Sequence, residues 1–163
     1  MSKFIHITLI AFLTFSAPIW AQGDPTFNFA TDDASMNAAM AEARDTLDVF
    51  LENTLSDGQS APQTMLKVSI PTANGNEIIW VSPFAQTSAT EWIGILANQP
   101  QDIKGANAGD TVTFDTTQIA DWALFSEDGV MYGGYTIREM VASGAVTPDM
   151  VPAMSDNPIP ETW

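Results

Sequence analysis

The hydrophobic period of this chain switches from helical to two after residue 63, and that change limits the folds the chain can adopt. Between residues 36 and 55 the apolar side chains recur at steps of three and four, the spacing of a helix that buries one face. These residues are Met36, Met40, Ala43, Leu47, Phe50, Leu51 and Leu55. From residue 66 onward the period falls to two, as in a strand with one buried face. The pattern therefore predicts an N-terminal amphipathic helix followed by a sheet.

Several short strands separated by turn signals are expected after the helix. Asn74-Gly75 lies between the alternating segments 66–70 and 77–81, and Asn-Gly is typical of a tight hairpin. Further strands are predicted at 91–97, 111–114, 119–125 and around 130–132. The stretch from Gly109 to Arg138, with its Gly-Asp turn, its Asp-Trp strand and its Gly-Gly pair, is the part around which we expect the rest to be organised.

A second, shorter helix is predicted near the end of the chain. Thr136 and Glu139 have the spacing of a capping box, and Gly144 ends the segment. The fold expected is therefore α+β. An N-terminal amphipathic helix packs on a twisted antiparallel sheet of five or six strands, with a short second helix near the C-terminus.

The first 21 residues have the pattern of a secretory signal peptide. Lys3 supplies a positive charge, residues 4–15 are almost wholly apolar, and Ala21 provides a small residue before the expected cut. The apolar run is shorter than the ~20 residues that a spanning helix needs. We therefore expect a periplasmic or secreted bacterial protein without a membrane anchor after cleavage. Residues 22–31 would form a flexible lead, 32–146 a single domain, and 147–163 a Pro-rich extended tail.

Charge and composition exclude many classes of function. The chain has 20 acidic and 5 basic residues, a formal net charge of −15, so we expect no nucleic acid partner. The acidity serves either solubility, which we favour, or an acidic binding face. The only histidine, His6, lies in the predicted signal peptide, and the chain has no cysteine. We therefore expect no Ser-His-Asp triad, zinc site or disulfide, and neither a metal nor a cofactor.

A succession of short motifs resembles the YegJ-like family of bacterial domains of unknown function. The motifs are Trp80-Val81, Gly94-x-Leu96-x-Asn98-x-Pro100, Gly109-Asp110-x-Val112, Ile119-x-Asp121-Trp122 and Gly133-Gly134-Tyr135-Thr136-x-Arg138. The likeness covers roughly residues 32–141. The resemblance implies an α+β fold and brings no activity, substrate or catalytic residue with it.

Five residues are candidates for a binding site: Glu77, Trp80, Asp121, Trp122 and Arg138. Arg138 could hold a ligand carboxylate beside Asp121, or the two could form an ion pair that fastens the second helix to the sheet, which we favour. Trp80, Trp92 and Trp122 could form a platform for a sugar or peptide. Strand parity places Trp122 on the face of Leu124 and Trp92 on the face of Leu96, which favours burial. Parity also predicts that Asp121 points the other way, with Ile119 and Ala123.

The function most consistent with this pattern is non-catalytic binding of a protein or peptide, as in an inhibitor or immunity-like role. One alternative is a carboxylate-based hydrolase of cell-envelope carbohydrate, using acids such as Glu77, Glu91 and Asp121. It would need two carboxyl groups about 5 to 5.5 Å or about 6.5 to 9.5 Å apart across a cleft. A carbohydrate-binding module is the other alternative, and it would need exposed, coplanar tryptophans.

Overall fold

The computed structural model describes residues 33–163. The predicted signal peptide and flexible lead lie outside the described residues. The helices are α1 (Ala34–Asp45), α2 (Leu47–Thr54) and α3 (Tyr135–Ala142), and the strands are β1 (Leu55–Ser56), β2 (Gln59–Ser60), β3 (Thr64–Thr72), β4 (Gly75–Gln86), β5 (Glu91–Leu96), β6 (Thr111–Asp115), β7 (Ile119–Phe125) and β8 (Met131–Gly133). Within residues 33–163, no helix combines the length and the apolar character needed to cross a bilayer.

The fold is α+β, as predicted, and its antiparallel sheet curls into a half-barrel. The strand order is β1-β2-β4-β3-β7-β8, and β5 pairs with β4 and with β6. The Asn-Gly hairpin is confirmed, since β3 and β4 pair antiparallel from Leu66 opposite Val81 to Thr72 opposite Gly75. The long strand β4 therefore joins strands β5 and β6 to the rest of the sheet.

The sheet has eight strands in the described residues, not five or six. The two additional strands, β1 and β2, have two residues each and form a small hairpin. Asp57 and Gly58, both with positive φ, make its turn. Two-residue strands are too short to show an alternating pattern, so the sequence indicated only a helix end here.

The predicted N-terminal helix is two helices. Asp33 caps α1 by accepting hydrogen bonds from the N–H groups of Ser35 and Met36. The helix breaks at Thr46, whose hydroxyl donates back to the carbonyl of Ala43 at 3.1 Å and accepts a hydrogen bond from the indole of Trp122 at 3.0 Å. A threonine that bonds to its own helix backbone commonly bends the helix. Both helices nevertheless pack on the same face of the sheet.

The curled sheet buries both of its faces. On the helix face, α1 and α2 cover a cluster that includes Phe50, Leu66, Trp92 and Trp122. On the opposite face, which we call the tail face, α3 and the C-terminal segment cover a smaller cluster: Met65, Trp80, Ala123, Met131 and Ile137, with Val151 and Met154 packed against it. Strand β3 is buried on both sides for this reason.

A bulge in β7 places Ile119 on the helix face, opposite to the face predicted from parity. Lys67 pairs with Asp121, but the next residue of β3, Val68, pairs with Ile119, so Ala120 is extra. Asp121 and Ala123 lie on the tail face, as predicted. Ile119 belongs to the cluster on the helix face, so the prediction that it accompanies Asp121 was wrong.

The Pro-rich segment after residue 147 is docked. Residues of this segment form a parallel bridge with β8, between Met131 and Met154, and Trp163 packs against Phe50 and Trp122 at ring-centroid distances of 6.3 and 6.0 Å. The segment therefore runs along the edge of the sheet from one face to the other.

Candidate functional site

A row of three side chains crosses the tail face. The register of the sheet places Trp80 of β4 opposite Lys67 of β3, and Lys67 opposite Asp121 of β7. All three are buried, with 4%, 9% and 0% of their surfaces exposed. The ammonium of Lys67 lies 5.0 Å from the ring centroid of Trp80, within the range of a cation–π contact. It also lies 3.4 Å from the hydroxyl of Thr136.

Asp121, at one end of this row, caps helix α3. Its carboxylate accepts hydrogen bonds from the backbone N–H groups of Trp122 at 2.8 Å, Tyr135 at 3.2 Å and Thr136 at 2.8 Å, and from the hydroxyl of Thr136 at 2.6 Å. The N–H groups of a helix's first turn have no partner within the helix, and the helix dipole favours a negative charge there. The carboxylate of β7 therefore satisfies the start of α3 from outside the helix.

This arrangement replaces the capping box predicted from Thr136 and Glu139. The residue at the N-cap position is Gly134, which has a left-handed conformation and no side chain that could accept a hydrogen bond. Thr136 lies inside the helix, and its hydroxyl donates to Asp121. The capping-box prediction was wrong because the partner comes from a distant strand.

Burial and hydrogen bonding shift the pKa of Asp121 in opposite directions, and burial has the larger effect. Desolvation raises the pKa of this carboxyl group, whereas the hydrogen bonds from Thr136, the charge of Lys67 and the N–H of Trp122 lower it. A buried carboxylate that has so many donors is a structural anchor, and its lone pairs are already engaged.

Arg138 does not form the predicted ion pair with Asp121. Its Nε donates to the carbonyl of Gly133 at 2.7 Å and its Nη1 to the carbonyl of Ser155 at 2.8 Å. Its Nη2 is buried without a hydrogen-bond partner among the described residues. Arg138 therefore joins α3 to β8 and to the C-terminal segment, and it affects Asp121 only through space.

Glu77 lies on the other face of the sheet from Asp121. It is three residues from Trp80 in a regular part of β4, and strand parity places it on the opposite side. Its carboxylate accepts hydrogen bonds from the N–H groups of Gln101, Asp102 and Ile103 at 2.7, 2.9 and 3.0 Å. Glu77 therefore holds the loop between β5 and β6 against the sheet.

Replacing Glu77 with glutamine should loosen that loop. One of the two acceptor oxygens becomes an NH₂ group that faces backbone donors, so we expect the free energy of unfolding to fall by about 1–3 kcal/mol. Limited proteolysis should also cut the loop at 98–108 faster. Glu91→Gln is the matched control, because Glu91 is exposed and its carboxylate accepts a hydrogen bond from the hydroxyl of nearby Ser88 at 3.3 Å. Equal proteolysis of both variants would contradict the role assigned to Glu77.

The tryptophans form part of the core. Trp92 and Trp122 are 1% and 0% exposed on the helix face, where Trp122 stacks on Phe50 at 4.7 Å, and Trp80 is buried on the tail face. A sugar platform needs exposed rings, and these three rings are covered. Burial of Trp92 and Trp122 follows the strand parity seen in the sequence.

The candidate acids do not face one another. Glu77 and Asp121 lie on opposite faces and are each bonded to backbone N–H groups, so they cannot flank one glycosidic bond. Among residues 33–163, no three acidic, histidine or cysteine side chains are grouped as they would be around a metal ion.

Residues 33–147 match the family described as "Uncharacterized protein conserved in bacteria (DUF2314)". The chain belongs to this family. The DUF2314 domain contains every sheet strand, α3 and all five candidate residues, and its match ends where the docked C-terminal segment begins. No curated protein and no solved structure matches the chain.

Sequence reasoning missed Lys67 as a member of the row that it forms with Trp80 and Asp121. The signal was present, because the Asn-Gly turn fixes the hairpin register and so places Lys67 opposite Trp80. Pairing with Asp121 depends on a contact between β3 and β7 that is distant in sequence, and no local pattern reports it.

Proposed function

We propose that this DUF2314 protein is an exported, non-catalytic module that binds a basic protein or peptide through its acidic outer surface. The observation that carries the proposal is the distribution of charge in the described residues. Thirteen carboxylate side chains there are exposed, whereas only Arg44 and Lys104 among the basic residues are. The other two, Lys67 and Arg138, are turned into the tail face.

Four of the thirteen exposed carboxylates lie on the two N-terminal helices. Four exposed carboxylates follow one another at steps of three and four, namely Glu42, Asp45, Asp48 and Glu52. Within each helix this spacing places two charges side by side, Glu42 with Asp45 on α1 and Asp48 with Glu52 on α2. We call these four residues the helix stripe. A surface of one sign attracts a partner of the opposite sign and accelerates its association.

The internal placement of the candidate residues supports a non-catalytic role. The carboxylates of Glu77 and Asp121 are engaged with backbone donors, and the three strand tryptophans are covered. These features favour surface binding over a carboxylate-based hydrolase or a carbohydrate platform. An inhibitor or immunity-like role fits such a module. The YegJ-like resemblance is also consistent with it, because that resemblance implies no activity.

The helix stripe can be tested by charge reversal. We expect the variant E42K/D45K/D48K/E52K, immobilised and exposed to periplasmic extract, to lose the basic proteins that the wild type retains at low salt. The same proteins should leave the wild type at high salt, because exposed charges are screened.

The protein prepared from the periplasmic fraction should begin at Gln22, as export with cleavage requires.

The matched control is E91K/D102K/E127K/D128K, which changes the net charge equally at exposed positions outside the helix stripe and outside residues 151–163. It should retain the same partners as the wild type. If all three proteins retain the same set, or if none retains a basic protein, the helix stripe is not the binding surface.

A further inference from the structure

The edge of β8 is closed by the C-terminal segment of this chain. In β8, the backbone groups of Met131 and Gly133 point away from β7. The N–H of Met131 donates to the carbonyl of Ala153 at 2.8 Å, and the N–H of Ser155 donates to the carbonyl of Met131 at 3.0 Å. The N–H of Gly133 donates to the carbonyl of Pro158 at 2.7 Å. This is the hydrogen bonding of an extended peptide added to a sheet edge.

Arg138 provides a side-chain contact beside that edge. Its guanidinium is fixed by the bond to the carbonyl of Gly133, and it presents Nη1 to the carbonyl of Ser155 at 2.8 Å. An ionised donor makes a stronger hydrogen bond to a carbonyl than a neutral one does. The contact recognises the backbone of an extended segment, whatever its side chains.

Apolar side chains of the segment fill positions on both faces of the sheet. Val151 and Met154 pack against the tail-face cluster that contains Trp80 and Met131. Trp163 packs on the helix face against Phe50 and Trp122. Backbone bonding combined with apolar side chains in separate positions is how peptide-binding edges combine affinity with specificity.

The segment lies outside the family match, which ends at residue 147, whereas β8 and Arg138 lie inside it. We infer that the β8 edge and Arg138 form a binding site for an extended peptide with apolar side chains, and that residues 151–163 occupy this site in cis. This site lies apart from the helix stripe. A partner carrying such a peptide would bind by exchange with the segment.

The experiment starts from the full, folded chain. A protease recognition site is inserted after Met150, which is 57% exposed, and the purified protein is then cleaved so that residues 151–163 remain bound without a covalent link. A fluorescent peptide of residues 151–163 is added and its anisotropy followed. We expect the cleaved protein to bind one equivalent of labelled peptide as its own segment leaves.

Two kinds of control accompany this measurement. In the first the chain is left uncleaved, and in the second the peptide is N-methylated at a single residue. The uncleaved chain should bind the labelled peptide at least ~100-fold more weakly, because the linked segment competes at a high effective concentration. A peptide N-methylated at Ser155 loses the bond to the carbonyl of Met131 and should bind about tenfold more weakly. N-methylation at Met154 should have little effect, since the N–H of Met154 makes no hydrogen bond within residues 33–163.

Three results would overturn the inference. The cleaved protein could stay folded and never exchange its segment, it could unfold when the segment leaves, or the two N-methylated peptides could bind equally well. None of these results affects the test of the helix stripe, which concerns other residues, and loss of partners in that test would leave peptide exchange unchanged.

Discussion

Replacing Asp121 with alanine should lower the free energy of unfolding by about 3–5 kcal/mol, the range found when one member of a buried charged network is removed. The carboxylate is completely buried and accepts four hydrogen bonds, two of them from the N–H groups of Tyr135 and Thr136 at the start of α3. Without it these donors lose their partner, and Gly134 has no side chain to replace it. Urea denaturation followed by tryptophan fluorescence measures the loss.

Replacing Asp121 with asparagine removes the charge and one acceptor oxygen but keeps the size of the side chain. Asn has nearly the same shape, but one oxygen becomes an NH₂ group that cannot accept the N–H of Thr136. Asp121→Asn should therefore lose most of what Asp121→Ala loses. Thr136→Val, which removes the hydroxyl's bond to Asp121 and its contact with the ammonium of Lys67, should cost about 1–3 kcal/mol. A fully stable Asn variant would show that α3 does not depend on the carboxylate.

Alanine at Gly133 should destabilise the protein by about 2–5 kcal/mol, from two separate causes. Gly133 has φ of +67°, a conformation that costs other residues about 1–2 kcal/mol. A Cβ there would also lie 2.5 Å from Cε3 of the Trp122 ring and would clash with the Trp122 carbonyl oxygen. Overpacking of this kind costs a further 1–3 kcal/mol or so. Thermal unfolding should show a sharply lower melting temperature.

Gly144 provides the matched control for that prediction. It has φ of +74°, but a Cβ added there meets no atom of the described residues within 4 Å. Gly144→Ala should therefore show only the backbone cost of about 1–2 kcal/mol. If the two variants unfold at the same temperature, the close approach of β8 to Trp122 does not limit residue 133.

Much of the fold could be predicted because local patterns report it. The Asn-Gly turn specified the pairing of β3 and β4, and alternation located β5, β6 and β7 within one or two residues. Parity along β7 also placed Trp122 in the core. The position of Ile119 could not be predicted in this way, because the bulge at Ala120 depends on how β7 meets β3.

The candidate site was less predictable than the fold. The sequence indicated that Asp121 and Arg138 matter together, and the structure separates their partners: Asp121 holds the start of α3, whereas Arg138 holds the C-terminal segment. The docking of that segment had no signal, because its proline-rich composition resembles that of an unstructured tail. Its partners on β8 are distant in the sequence.

The sequence by itself determined six of the eight strands and the second helix, the burial of Trp92 and Trp122, and the shortage of imidazole and thiol groups for chemistry. These properties follow from composition and from periods of two and 3.6 residues, which are local. Only the tertiary structure decided that a strand carboxylate caps α3, and that the last residues complete the sheet. Both depend on backbone groups, which every residue carries, so the order of side chains does not reveal which ones meet.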